Sequence, residues 1–113
     1  MTANLLLVSV DSLRLDHAPG TTDSQVRASE FERLAADFAF TERCFSVSSA
    51  TRPVHTSLVT GLYPFEHGIL GQYDSHVRSG APRLFRQFQQ AGYRVALFSE
   101  AASIFTGIDL GSP

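Results

Sequence analysis

Pro53 and Gly61 bracket the stretch that most constrains this chain, Ser48 to Pro64. Proline has its φ preset for the first helical turn and disfavours helical geometry in the residue before it. The bracket therefore predicts a helix from Pro53 to Thr60, with Arg52 at its N-cap and Gly61 just past its C-terminus. Thr51 then falls just outside the helix mouth. A hydroxyl at the positive end of a short helix can carry or contact negative charge, which makes Thr51 a candidate nucleophile; a hydroxyl that merely caps the helix fits the same residue type. His55, Leu58, Val59 and Leu62 fall on one face at helical spacing, so His55 is expected to point inward behind Thr51, either as a hydrogen-bonded core histidine or in support of chemistry. Arg52 is either a forked ligand for phosphate or sulfate oxygens or a solvated surface residue.

Upstream, Asn4 to Val10 is a short apolar run bounded by polar residues, the pattern of a strand buried on both faces of a parallel sheet. It ends at Asp11. Ligands of open α/β sheets collect beyond the carboxyl ends of the strands, and a carboxylate there suits a hard divalent cation; the same residue also serves as an ordinary loop or cap residue. Arg14, Asp16 and His17 read as loop and salt-bridge residues. His17 to Ser24 is turn-rich around Pro19-Gly20. Ser29 with Glu32 makes a capping box ahead of Phe31, Leu34, Ala35 and Phe38 at helical spacing, and Phe40 to Ser49 carries a short extended segment. After Gly68 a loop runs to Gly80, holding Asp74, His76 and Arg78 in no metal-site spacing. Pro82 then opens a second amphipathic helix, with Leu84, Phe85, Phe88 and Ala91 apolar and Gly92 as its stop, and Tyr93 to Phe98 is the next strand. This order indicates an α/β layer fold with a mostly parallel sheet and helices packed on its faces.

Composition narrows the function classes. The 113 residues carry a formal charge of −2, with no basic cluster of the kind that binds nucleic acid. Leu5 to Val10 is too short to span a membrane and lacks a positive leader, so no membrane partner is expected and the chain reads as cytoplasmic. Cys44, the single cysteine, reads as a small buried residue.

Three segments carry a resemblance. Thr51-Arg52-Pro53-Val54-His55, continuing through Thr60-Gly61-Leu62-Tyr63-Pro64 and Glu66-His67-Gly68, resembles the nucleophile motif of the sulfatase and alkaline-phosphatase superfamily. Leu6 to His17 resembles that superfamily's first motif, and the helix, Gly92-Tyr93-Arg94 and strand resemble its continuation. A threonine nucleophile with His at the fifth motif position is similar to the nucleotide pyrophosphatase and phosphodiesterase branch. The resemblance implies an alkaline-phosphatase-like fold, present in its N-terminal part over residues 1–113. It also implies a metal-dependent hydrolase of small-molecule phosphate or sulfate esters. Thr51 and His55 would be catalytic, Arg52 would contact substrate, and Asp11 and Thr51 would be metal ligands, with Zn, Mn, Mg or Ca as the ion and two ions in a complete enzyme. Two departures weigh against sulfate: Asp11 is followed by Ser12 where sulfatases pair two Asp residues, and Ser99-Glu100 stands where they carry a sulfate-binding Lys. The remaining metal motifs do not occur before Pro113, so the chain alone is expected to be inactive. A non-catalytic remnant, or a module completed by self-association or a partner across its open sheet edge, is the competing expectation.

Overall fold

The structure is a computed structural model that describes residues 3–18, 33, 36–37, 39, 41, 43–100 and 102–106. It divides into two compact units, Met1–Cys44 and Phe45–Pro113.

In the first unit, Asp11 and Ser12 form a turn, and Ser12 holds a left-handed backbone with φ 57°. A 3₁₀ turn follows at Leu15–His17. No strand is present among the described residues, and the apolar side chains of Leu5 to Val10 are exposed, Leu6 by 86%. Burying such a run takes a sheet neighbour on each side and helices on both faces. Arg33, Ala36 and Asp37 are helical, in agreement with the helix expected over 29–38, most of which lies outside the described residues. Cys44 is exposed, not buried as its residue type suggested.

The second unit is built around helix α1, Thr51–Thr60, followed by α2, Pro64–His67, and α3, Leu84–Gln90. A 3₁₀ turn spans Ala102–Phe105, and α1 packs against all three of these elements. Gly61 ends α1 as expected: at φ 72° it adopts the left-handed geometry that costs a side-chain-bearing residue about 1–2 kcal/mol, and its N–H closes on Ser57 O at 2.8 Å.

The helix start differs from the expectation. Ala50 is the N-cap and Thr51 the first helical residue, so Pro53 occupies the third position. The first N–H groups of any helix lack an intrahelical acceptor, so proline is tolerated throughout the first turn and does not by itself mark the start.

The buried face also differs. Arg52, Pro53, Thr56, Val59 and Thr60 are buried, whereas Leu58 is exposed and His55 half-buried. The two threonines can be buried because each hydroxyl donates to the carbonyl four residues back, Thr56 Oγ1 to Arg52 O at 2.8 Å and Thr60 Oγ1 to Thr56 O at 2.7 Å. Val59 meets Val77, Phe85 and Phe105 in a small core, and burial of a side chain of that size contributes about 1.5–3 kcal/mol.

α3 begins two residues after Pro82, with Arg83 as N-cap. Past its end, Tyr93 N–H returns to Phe88 O at 2.9 Å and the two rings meet edge to face at 5.3 Å. Tyr93 to Phe98, expected as a strand, carries no sheet pairing among the described residues, and Phe98 is exposed.

Candidate functional site

Helix α1 opens with three residues whose N–H groups would look for acceptors outside the helix, and the sequence reduces that demand. Pro53 has no N–H, and Val54 N–H already reaches Ala50 O at 3.3 Å. That leaves Thr51 and Arg52. The Arg52 N–H donates to Gln72 Oε1 at 3.0 Å, so a side chain twenty residues downstream holds the helix mouth in place of an N-cap hydroxyl. Gln72 brings an uncharged oxygen to the position where a helix N-terminus accepts an anion.

Thr51 stands at this mouth, half-buried, as the first helical residue. His55 lies one turn on, and its Nδ1–H donates to Thr51 O at 2.9 Å. In the neutral ring that bond puts the lone pair on Nε2. Phe105 packs edge-on against the imidazole, with ring centres 6.0 Å apart. His55 therefore does lie behind Thr51, held by the backbone of the first turn and by an aromatic neighbour.

Arg52 is not a solvated surface residue. It is buried, and its Nη1 donates to Asp74 O at 2.7 Å and to Thr106 O at 3.2 Å. The guanidinium thus ties the loop after α2 and the segment after Phe105 to the first turn of α1. Asp74 reinforces the same loop: its Oδ2 accepts from Leu70 N–H and Gly71 N–H, both at 2.8 Å. The Gly71 and Leu70 amides hold the Asp74 carboxyl below its ordinary range, with a smaller contribution from the Arg52 charge.

In the other unit, Asp11 is exposed at its turn. Nearby in sequence, Arg14 Nε and Nη2 grip Asp16 at 2.9 and 2.7 Å while His17 Nδ1 meets Asp16 Oδ1 at 3.0 Å. The Arg14 hydrogen bond, then that of His17, draws the Asp16 carboxyl down to about 2. These are the loop and salt-bridge residues that the sequence suggested.

As donors, the Asp11 carboxylate and the Thr51 hydroxyl are both hard oxygens of the type that divalent cations take. Among the described residues no group of three or more His, Cys, Asp or Glu could hold a metal ion. No described helix is long and apolar enough to cross a membrane.

The sequence model of the type I phosphodiesterase / nucleotide pyrophosphatase family matches residues 5–103. The chain belongs to that family. With it the chain belongs to the alkaline phosphatase superfamily, as the motifs around Asp11 and Thr51 indicated. No curated protein and no solved structure matches the chain. For a phosphodiesterase-family chain, the residues that motif reading missed are those that shape the helix mouth from a distance: Gln72, Asp74 and Phe105. Their contacts with α1 span 20 residues or more, so nothing in the local spacing of residues 51–64 reveals them.

Proposed function

We propose that this phosphodiesterase-family chain carries the nucleophile of a metal-dependent hydrolase of small phosphate or sulfate esters, with Thr51 as the attacking residue and an α/β alkaline-phosphatase-like sheet as the fold of the whole domain. One observation carries the reading: in a chain of this family, Thr51 is the first residue of a helix whose next N–H is held by a replaceable side-chain acceptor, Gln72.

In this reading Thr51 Oγ attacks phosphorus, or sulfur, in line with the leaving alcohol. The bond from Thr51 Oγ to phosphorus, or sulfur, forms as the bond to the leaving oxygen breaks; the Thr51 proton passes to water as water protonates the leaving alcohol, and a further water cleaves the Thr51 ester to release the acid and return the hydroxyl. The ester's non-bridging oxygens lie at the positive end of α1, where they compete with Gln72 Oε1 for the Arg52 N–H. Arg52 thus acts through its backbone, and its guanidinium braces the mouth. His55 is a positioning residue that fixes the Thr51 carbonyl and so the first turn. A divalent ion, Zn, Mn, Mg or Ca, would supply the charge that lowers the hydroxyl pKa, with the Asp11 carboxylate and the Thr51 oxygen as the candidate ligands.

A second reading, a non-catalytic module completed by a partner, draws on the exposed apolar side chains of Leu5 to Val10 and of Leu97 and Phe98. One assay separates the two: hydrolysis of a chromogenic phosphodiester and a chromogenic sulfate ester by wild type and Thr51→Ala, with each divalent ion in turn. Ion-dependent hydrolysis that Thr51→Ala abolishes supports the nucleophile. Equal hydrolysis by both proteins sinks it.

A further inference from the structure

His67 is fully buried and joins two parts of the Phe45–Pro113 unit. Its Nδ1 accepts from Ile69 N–H at 3.1 Å, so in the neutral ring the proton sits on Nε2, which donates to Ser57 Oγ on α1 at 2.9 Å. Its carbonyl accepts from Arg78 N–H at 2.9 Å. Ile69 opens the loop whose later residues, Gln72 and Asp74, reach Arg52 in the first turn of α1. One imidazole therefore fixes the start of a loop whose far end is fixed on the same helix.

A protonated imidazole carries hydrogen on both nitrogens. At Nδ1 that hydrogen would meet Ile69 N–H, donor against donor, and Ile69 is as fully buried as His67. The ring cannot take up a proton and keep this bond. We propose that His67 is a proton-sensitive pin: neutral, it locks the loop that starts at Ile69 to α1; protonated, it releases Ile69 and loosens the loop that holds the helix mouth.

The surroundings fix the direction. Burial lowers the proton affinity of His67, opposed by the Pro53 carbonyl and by the charge of Glu66 beside it. The other titratable or charged groups on the elements around it are engaged elsewhere. Arg52 reaches the Asp74 and Thr106 carbonyls, and His55 the Thr51 carbonyl. The Asp74 carboxylate holds the Leu70 and Gly71 amides, and His76 meets Ser75 Oγ at 2.9 Å. The Arg78 side chain stands over Gly68, where its Cγ lies 3.1 Å from the position a Cβ would take. A histidine whose folded-state proton affinity is lowered stabilises its structure fully above the unfolded value of about 6.5, and that stabilisation is lost as pH falls through the folded value. The pin is closed at neutral pH and opens on acidification.

This pin exists whether or not Thr51 is a nucleophile, so its test reads structure and not activity. In the labelled full chain, NMR follows the protonation of both His67 ring nitrogens and the exchange protection of the Ile69 amide from about pH 8 to about pH 5, corrected for intrinsic exchange. The expected result is a neutral ring protonated on Nε2 at the upper end. Below the His67 titration point, Ile69 protection should fall roughly tenfold per pH unit while the α1 amides stay protected. In His67→Asn, whose carboxamide oxygen can accept from Ile69 without titrating, the protection should not depend on pH. Proton uptake by His67 without loss of Ile69 protection would overturn the pin, as would loss of protection with His67 still neutral, or a ring that stays neutral with Ile69 protected across the whole range. So would simultaneous loss across α1, which is global acid unfolding, or an unchanged pH response in His67→Asn.

Discussion

Replacing Arg52 with methionine keeps much of the side-chain volume in its buried site while removing every donor. The hydrogen bonds to Asp74 O and Thr106 O go with it. Bonds from a charged donor contribute about 1.5–3 kcal/mol each, but the two at Nη1 differ in length, and the longer, at 3.2 Å, belongs at the low end of that range. Asp74 and Thr106 are themselves exposed, so water can reach their carbonyls once the guanidinium is gone, which lowers the cost again. The apolar replacement also avoids the desolvation cost of a buried charge. Together these place the loss at about 2–3 kcal/mol. Urea denaturation of Arg52→Met against wild type reads it as a drop in midpoint, and hydrogen exchange should rise in the Asp74 and Thr106 segments before it rises in α1. A loss below about 0.5 kcal/mol, with exchange unchanged in both segments, would refute the bracing role and return the Arg52 side chain to substrate contact.

Gly61→Ala should cost about 1–2 kcal/mol by thermal or urea unfolding, a purely conformational penalty because nothing lies within 4 Å of the added Cβ. Gly68→Ala, at φ 86°, should cost more than Gly61→Ala, since its Cβ would stand 3.1 Å from Arg78 Cγ; equal costs would mean that the Arg78 side chain moves aside freely. Because its loop amides hold the Asp74 carboxyl below the ordinary value of 3.8, the stability it contributes is complete above that pH and is lost as pH falls through the lower folded-state value. Asp74→Asn should therefore flatten the acid limb of a stability-versus-pH curve, and an unchanged limb would mean that Asp74 does not couple to folding. Gln72→Ala should lower stability by about 1 kcal/mol or less, the worth of a helix cap, measured in the same urea titration.

How much of this was legible in the sequence depends on the range of the interaction. Gly61 could be read directly, because a left-handed position at a helix end has a one-residue signature. The start of α1 could not be fixed from Pro53, since a missing N–H is harmless anywhere in the first turn and only the Ala50 backbone decides where the helix begins. Hydrophobic periodicity does not reveal the buried face of α1, because Thr56 and Thr60 count as polar yet both bury their hydroxyls by bonding within the helix. The family was legible in the motif around Thr51. What shapes the mouth of the helix was not: Gln72 and the Arg52 contacts join residues 20 to 54 positions apart, and nothing in the spacing of Glu66-His67-Gly68 shows that both His67 ring nitrogens are bonded.

The measurement that tests the central claim most directly is a single-turnover reaction of the protein with a phosphodiester labelled at phosphorus, quenched in acid and digested, with the site of any label located by mass spectrometry. The expected product is Thr51 esterified by the labelled phosphorus, which keeps its second alcohol as a phosphodiester, and it should be absent in Thr51→Ala. Label on another residue, or label found only in solution while wild-type protein stays unmodified at every quench time, would contradict it.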